Sequence, residues 1–399
     1  MCKMKILFVI LIFLNLLNCK GQSFNEKTTV SDDFDESPPV YYGMPELLDS
    51  KDTSAAWNHG GQKLLLTGTV YQNDGKTPAP DVLLYYYQTD NNGRYLHKEN
   101  EARSVPPNKL SQTHGYIRGW VKSDSYGKYS IYTIRPGLYP SSAEAAHIHI
   151  HIKEPDLADH YYIDNFVFDD DKLLTKKARI KMESRGGSGV IRLVQKEGLR
   201  IGERNIILGL NIPNYPKLVD SDLRIGLNIG EGIMSFTPYH AWGPDKGSKT
   251  CPICKYGWYH GILYFVGNKP DWTEIKQWLK FLENESATRE KYLKVYFVYG
   301  NENKYSASKR IKELEKLGDE MNLKKIALTF VTSFSDKVSE IHLNNINPNV
   351  GSTIVIYKRS NVIDKFINLQ PSQESFNMIS NRLNQTINEY FTLPKLKND

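Results

Sequence analysis

Cysteine is scarce in this chain of 399 residues, which contains only four. If residues 1–19 are an export signal, cleavage removes Cys2, and acylation of Cys19 would leave it without a free thiol. Cys251 and Cys254 then remain as the only pair for one disulfide. A long apolar run is also missing at the start of the chain, where about twelve mostly apolar residues (6–17) are too few to span a bilayer of roughly 30 Å. A membrane-spanning segment is therefore not predicted there.

An excess of one charge is the third feature that the sequence lacks. The chain has 51 basic and 45 acidic residues, a formal net charge of +6, and the excess is dispersed along the sequence. This pattern does not predict binding to nucleic acid. Hydrophobic residues make up 40% and charged residues 24%, which is ordinary for a globular protein, and the length favours two domains.

Residues 1–19 have the pattern of an export signal. Lys3 and Lys5 precede the short apolar run, and the sequence from Leu16 to Cys19 resembles the lipobox of bacterial lipoproteins, in which the cysteine is acylated. We expect an exported protein of the cell envelope, with a lipid anchor at Cys19 or, alternatively, a plain cleaved signal peptide. Residues 20–57 are polar and predict a linker that ends in a few ordered turns.

Residues 58–216 alternate short β-branched and aromatic runs with turn sequences. The apolar runs are residues 64–71, 82–87, 129–134 and 147–152, with further runs at 166–168 and 190–193. Short strands with frequent turns predict an antiparallel β-sandwich.

Residues 240–395, which follow a connector at 217–239, have a different pattern. Buried-strand candidates alternate with amphipathic helical stretches, for example the strand 261–266 and the helix that begins at Trp272. This alternation predicts an α/β domain.

Histidine alternates with isoleucine in residues 147–152, so that His147 and His149 lie on one face of a predicted strand. Such a pair is common, but here Tyr95 and Tyr139 lie in nearby segments that are rich in turn residues. Two phenol oxygens and two imidazoles could together bind one metal ion.

An ordered set of motifs in residues 60–215 resembles the intradiol ring-cleavage dioxygenases, a family that uses non-haem ferric iron. The motifs are residues 66–70, Gly93-Arg94-Tyr95, Arg118-Gly119-Trp120, residues 133–140 and Ala146-His147-Ile148-His149. The resemblance implies that Tyr95, Tyr139, His147 and His149 bind Fe(III), while His151 is a neighbour of the site. It also implies that Tyr139 accepts a substrate proton, and that O2 opens a catecholic ring between its two hydroxyl-bearing carbons.

One position departs from the family pattern. The family places an arginine three residues before the first histidine, and this chain has Glu144 there. A carboxylate repels the electron-rich intermediate that the arginine would stabilise, so Arg118 or Arg135 is a candidate for the missing cation. A protein that binds metal and aromatic ligands without turnover is the alternative function.

The second domain more faintly resembles thioredoxin-like folds. Cys251-Pro252-Ile253-Cys254 precedes the first predicted central strand, whereas the thioredoxin dithiol follows it. A structural disulfide is therefore expected, with thiol–disulfide exchange or a metal site as alternatives. The expected partners of the whole protein are an aromatic small molecule, O2 and, through Cys19, a membrane.

Overall fold

The computed structural model describes residues 30–141, 143–216 and 226–394. The predicted export signal, the lipobox and Cys19 lie outside the described residues, and so does the first part of the connector. Among the described helices, none has the length and apolar character that a bilayer crossing requires.

The first domain is a sandwich of two six-stranded sheets. Its strands are β1 (Lys51–Thr53), β2 (Lys63–Tyr71), β3 (Leu83–Tyr87), β4 (Arg118–Lys122), β5 (Lys128–Ile134), β6 (His147–Lys153), β7 (Tyr161–Tyr162), β8 (Phe166–Phe168), β9 (Val190–Ile191), β10 (Leu193–Lys196), β11 (Leu199–Glu203) and β12 (Ile206–Ile207). A short helix, α1 (Lys176–Ile180), lies between β8 and β9. One sheet has the order β1-β5-β2-β11-β10 with β12 on β2, and the other has the order β4-β3-β6-β8-β9 with β7 on β6.

The core of the sandwich lies between the two sheets. Leu64 and Leu66 of β2 and Ile131 of β5 are buried there against Ile148 and Ile150 of β6. Because side chains alternate along a strand, the isoleucines of β6 face this core and its histidines face the outside of the second sheet. The predicted placement of the histidines on one face is confirmed.

The sheets differ from the prediction in two respects. Most strand pairs are antiparallel, but β1 pairs in parallel with β5, β11 and β12 pair in parallel with β2, and β8 pairs in parallel with β9 in the other sheet. The sandwich is therefore mixed rather than purely antiparallel, because β11 returns to the sheet along the same direction as β2. In addition, β1 lies in the segment predicted as a linker, and Val40 in the same segment is buried against Tyr85 and Trp120.

The second domain is built on one mixed six-stranded sheet. Its elements are β13 (Tyr239–Trp242), α2 (Pro252–Tyr256), β14 (His260–Val266), α3 (Trp272–Arg289), β15 (Leu293–Tyr299), α4 (Ala307–Glu320), β16 (Ala327–Phe330), β17 (Thr353–Lys358), β18 (Asn361–Ile367) and α5 (Gln373–Gln385), with 3-10 turns at Glu290–Tyr292 and Ile341–Asn344. The order is β13-β16-β15-β14-β17-β18, in which β14, β15 and β16 are parallel. The predicted alternation of strands and helices is present.

Apolar clusters cover both faces of this sheet. Trp278 and Leu282 of α3, Leu314 of α4 and Leu383 of α5 are buried on one face. Ile253 of α2 and Phe236 of the preceding segment pack on the other. The sheet is therefore buried on both sides, as its continuous hydrophobic strands require.

Glu203 at the end of β11 joins the two domains. Its carboxylate lies 3.0 Å from Lys358 Nζ and 3.3 Å from Arg359 Nη1, both from the second domain. These cations outweigh the effect of burial and lower the pKa of Glu203. The contact fixes one end of the second domain against the sandwich.

Candidate metal centre

Strand β6 presents His147 and His149 on the outer face of the second sheet. His147 Nδ1 donates a hydrogen bond to the carbonyl of Ala145 at 2.8 Å. This bond places a proton on Nδ1, so that Nε2 is the ring nitrogen that can offer a lone pair to a metal ion. The two Nε2 atoms lie 3.1 Å apart.

Two loops bring the tyrosines to the same place. Tyr95 follows β3 and Tyr139 precedes β6, and the loops that hold them contact each other through glycine. Gly93 has φ +77°, and a Cβ there would lie 1.7 Å from the carbonyl oxygen of Leu138. Gly137 donates its N–H to the carbonyl of Asp90 at 2.8 Å. The close approach requires glycine at position 93 and fixes Tyr95 beside Tyr139.

Four side-chain atoms converge as a result. Tyr95 Oη lies 2.7 Å from Tyr139 Oη, and Tyr139 Oη lies 3.2 Å from Nε2 of both His147 and His149. Separations of 2.7–3.2 Å are those expected of neighbouring ligands that each lie about 2.1 Å from one ion. The structure thus brings together all four residues that the sequence predicts as ligands.

Burial sets the protonation of these groups. It raises the pKa of Tyr95, and the phenol of Tyr139 raises that pKa further. Burial also raises the pKa of Tyr139, with Glu144 contributing and the hydrogen bond from Tyr95 opposing. It lowers the pKa of His149 well below the ordinary value, with His147 and His151 contributing. The protein alone therefore holds neutral phenols and a neutral imidazole, and a bound cation is what would favour phenolates.

The donor set fits a hard, highly charged metal ion. Among the described residues, no three His, Cys, Asp or Glu side chains form a group that could hold a metal. The candidate centre differs from such groups, because two of its four donors are the phenol oxygens of Tyr95 and Tyr139. Anionic oxygens stabilise a trivalent ion strongly, and two imidazoles complete a set of four protein ligands.

An aromatic stack supports His149 from behind, and sequence reasoning missed it. The ring of Tyr87, opposite His149 on β3, lies 4.3 Å from the imidazole with an interplanar angle of 10°. His114 stacks on the other face of Tyr87 at 3.6 Å. The available signal was the run of three tyrosines at 85–87, but the register that sets Tyr87 against His149 could not be read from it.

Arg118, a predicted catalytic cation, is completely buried in other contacts. Its Nη1 donates to the carbonyl of Tyr42 at 2.7 Å, its Nη2 to that of Pro39 at 2.6 Å, and its Nε to Tyr85 Oη at 2.8 Å. The guanidinium thus anchors the N-terminal segment, and the structure does not bring it to the four converging atoms.

Arg135, the other predicted cation, is also engaged elsewhere. It makes a two-pronged contact with the carboxylate of Asp170 at 2.7 and 2.8 Å and lies over the ring of Phe168. These contacts hold its charge at Asp170 rather than among the converging side chains.

Glu144 and His147 border an open groove of about 540 Å³. Tyr162, Lys181 and Arg185 line the same groove. His151 lies further along β6 and is buried, with its ring 5.4 Å from His160 and 5.5 Å from Tyr162. The groove gives an approach to the converging atoms from the His147 side, whereas His151 lies behind them.

Part of this chain is similar to proteins described as dioxygenases. Residues 37–197 match a family model described as Dioxygenase. The beta chain of protocatechuate 3,4-dioxygenase from Burkholderia cepacia is 34% identical over 112 residues, which are 27% of this chain. The match spans only 44% of that relative's length.

Solved structures that match part of this chain include the dioxygenase domain of a dioxygenase carbohydrate-binding protein fusion from Streptomyces sp. SirexAA-E. It is 20% identical, with a TM-score of 0.31, and the match covers 41% of this chain and 94% of that one. Catechol 1,2-dioxygenase from Acinetobacter sp. ADP1 is 18% identical with a TM-score of 0.31, and the match covers 45% of this chain and 64% of that one.

Proposed function

We propose that the first domain, whose residues 37–197 match a family model described as Dioxygenase, is an intradiol ring-cleavage dioxygenase that opens a catecholic or related hydroxylated aromatic ring with O2. One observation carries the proposal. Tyr95 Oη and the Nε2 atoms of His147 and His149 all lie within 3.2 Å of Tyr139 Oη. These four residues follow one another along the chain in the order that the family uses. The product would be a muconate-type diacid.

Fe(III) is the cofactor that these donors suit, and Tyr95, Tyr139, His147 and His149 would hold it. When bound, ferric iron supplies a Lewis acid that accepts the two oxygens of a catecholate and allows the electron-rich ring to react with O2. No nicotinamide or flavin is needed, because the substrate provides the electrons.

Tyr139 is the proposed proton acceptor. Its oxygen contacts both imidazoles, while burial and the charge of Glu144 raise its pKa. A phenolate at this position takes up a proton readily once it no longer faces a cation, so Tyr139 Oη can receive a hydroxyl proton from a catechol. Tyr95 is the more deeply buried phenol and is suited to remain a ligand.

His147 and the groove beside it suit substrate entry. The hydrogen bond to Ala145 holds the imidazole in one tautomer, so its Nε2 keeps a fixed direction. The groove of about 540 Å³ is large enough for one aromatic ring, and both basic (Lys181, Arg185) and acidic side chains (Glu144, Asp164, Glu183) line it. Ring substituents would be selected there.

Glu144 supports a second candidate function. Glu144 occupies the position where the family has an arginine, and its negative charge raises the pKa of Tyr139. A negative charge at this point disfavours an electron-rich intermediate. The alternative is therefore a protein that binds metal and an aromatic ligand without opening the ring.

Ferric reconstitution followed by oxygen measurements tests both functions. Wild-type protein loaded with Fe(III) should show a visible tyrosinate-to-iron absorption band, consume O2 with catechols and release a diacid. Tyr139→Phe should shift the band and abolish oxygen uptake, whereas Tyr126→Phe, which removes an exposed phenol, should change neither. Iron binding with the band but without oxygen uptake would favour the binding function, and failure to bind Fe(III) would exclude both.

For the second domain, we propose a thioredoxin-like fold without dithiol catalysis. The disulfide between Cys251 and Cys254 lies at the start of α2, before β14 rather than after it, which supports a structural role. Loss of oxygen uptake in a Cys251→Ser variant that keeps its iron would instead favour a thiol function.

We also propose that the protein is held at a membrane by a lipid on Cys19, as the lipobox-like sequence suggests. Expression in a bacterial host with a labelled fatty acid tests this proposal. The wild-type chain should carry the label, and a Cys19→Ser chain should not.

A further inference from the structure

A second cavity lies between the two domains and is lined by none of the four converging side chains of the candidate metal centre, although Met182 lines both this cavity and the groove beside that centre. Its volume is about 330 Å³. The sandwich contributes α1 and the start of β9, while the second domain contributes residues 232–235, α2 and the turn between β17 and β18. A ligand in this cavity would contact both domains at once.

Positive charge dominates the lining. Four cationic side chains border the cavity, and Asp169 is the only acidic side chain that lines it in the described part of the chain. The cations are Lys176, Arg179, Arg192 and Arg359. Two of the cations have partners outside the lining, because Lys176 pairs with Glu340 and Arg359 pairs with Glu203. Asp169 is shared, because one of its oxygens lies 2.8 Å from Arg179 Nη2 and the other lies 3.5 Å from Arg192 Nε. One carboxylate thus serves two guanidiniums.

Arg192 is the least compensated of the four. Its side chain is only 10% exposed, and its ion pair with Asp169 is long. Burial lowers the pKa of Arg192, Asp169 opposes this shift, and the charges of Arg179 and Arg359 lower the pKa further, so both of these guanidiniums repel Arg192. Burying a cation with so little compensation is costly unless a further anion is bound.

Apolar side chains form the rest of the wall. Val190 and Met182 come from the sandwich, while Ile233, Met234 and Ile253 come from the second domain. A bare inorganic anion would leave these side chains without a partner, whereas an anion with a hydrocarbon body would bury them.

We propose that this cavity binds a small organic carboxylate. Arginine recognises a carboxylate through two parallel hydrogen bonds, and Arg192, whose Nε contacts Asp169, lines the cavity. The hydrocarbon part of the ligand lies against Ile233 and Ile253. The site needs neither iron nor turnover, so it stands independently of the function proposed for the first domain.

Calorimetric titration of the iron-free protein with benzoate tests the proposal. Arg192→Gln should weaken binding at least about tenfold, while Arg192→Lys, which keeps the charge, should weaken it less. Arg289→Gln is the matched control, because Arg289 is 16% exposed and pairs with one carboxylate, Glu285, outside the cavity. Arg289→Gln and Tyr139→Phe should both leave benzoate affinity unchanged. Unchanged affinity in Tyr139→Phe would separate this cavity from the candidate metal centre.

The disulfide reports where benzoate binds, because Cys254 lines the cavity. This second measurement uses the wild-type protein, since Arg192→Gln could fail to fold. Saturating benzoate should slow reduction of the Cys251–Cys254 bond of the wild-type protein by dithiothreitol several-fold. Unchanged reduction, absence of benzoate binding, or equal affinity in folded Arg192→Gln would overturn the proposal. Inorganic phosphate should bind at least about tenfold more weakly than benzoate, since it lacks an apolar body, and equal affinity would overturn the assignment of an organic ligand.

Discussion

The imidazole of His149 lies flat against the ring of Tyr87, with ring centroids 4.3 Å apart and an interplanar angle of 10°. His114 closes the stack on the far side of Tyr87, at 3.6 Å and 4°. An imidazole on a strand can rotate about two bonds, and a flat aromatic surface restricts that rotation. The direction of Nε2 is therefore set by a residue that would never touch the metal.

Replacing Tyr87 should weaken metal binding through the orientation of His149. We expect Tyr87→Leu to lower Fe(III) affinity about tenfold or more, as for other residues that orient a metal ligand. Tyr87→Phe keeps the ring and should bind iron like the wild type. Affinities from competition with a chelator, together with the position of the visible band, provide the measurement. Equal loss in both variants would contradict the stacking role.

Removing the charge of Glu144 should make the centre more active. The carboxylate raises the pKa of Tyr139 and disfavours negative charge on a bound substrate, so Glu144→Gln should raise kcat for catechol about threefold to tenfold. Glu144→Arg, which restores the residue type of the family, should raise it further. Glu183→Gln is the control, since Glu183 borders the same groove. Oxygen uptake is the measurement, and an unchanged kcat in both Glu144 variants would contradict this role.

The convergence of Tyr95, Tyr139, His147 and His149 was largely predictable because the sequence signals for it are local. The alternation in residues 147–152 fixes which side chains share a face, whatever the rest of the fold. Gly93 and Gly137 occur within short motifs beside Tyr95 and Tyr139, so the contact between their loops could be inferred with the family pattern.

Interactions between distant segments could not be predicted in this way. Arg118 was a candidate for catalysis because Glu144 occupies the position of the family arginine, so that another cation was expected to take its place. Its actual acceptors are backbone carbonyls at Pro39 and Tyr42, in a segment whose composition indicates a linker. Backbone acceptors have no sequence signature, and the parallel pairing of β1 with β5 has none either.

Arg118 should therefore matter for stability rather than for chemistry. Arg118→Gln would leave buried carbonyls and the hydroxyl of Tyr85 without their donor, at a cost of about 3 kcal/mol or more in the free energy of unfolding. Arg135→Gln breaks a more accessible pair with Asp170 and should cost about 1 kcal/mol. Urea denaturation of the iron-free proteins measures both. A folded Arg118→Gln protein of wild-type stability with a reduced kcat would return Arg118 to the active site.

His151 should make the iron-free protein sensitive to mild acid. Its side chain is buried, its Nδ1 has no hydrogen-bond partner in the described part of the chain, and burial lowers its pKa to about 3, with His160 contributing. In the unfolded chain a histidine takes up a proton near pH 6.5. Between these values the unfolded state binds more protons than the folded state, so stability falls as the pH decreases.

The slope of stability against pH isolates this effect. One such histidine contributes at most about 1.4 kcal/mol per pH unit, and the effect is measurable between pH 6 and 5, before most carboxylates titrate. His151→Gln removes the group, so its free energy of unfolding should fall less steeply over this interval than that of the wild type. His59→Gln removes an exposed imidazole and should keep the wild-type slope. Equal slopes in His151→Gln and the wild type would mean that His151 takes up its proton without unfolding. In that case the face of the sheet behind His149 would have to admit water.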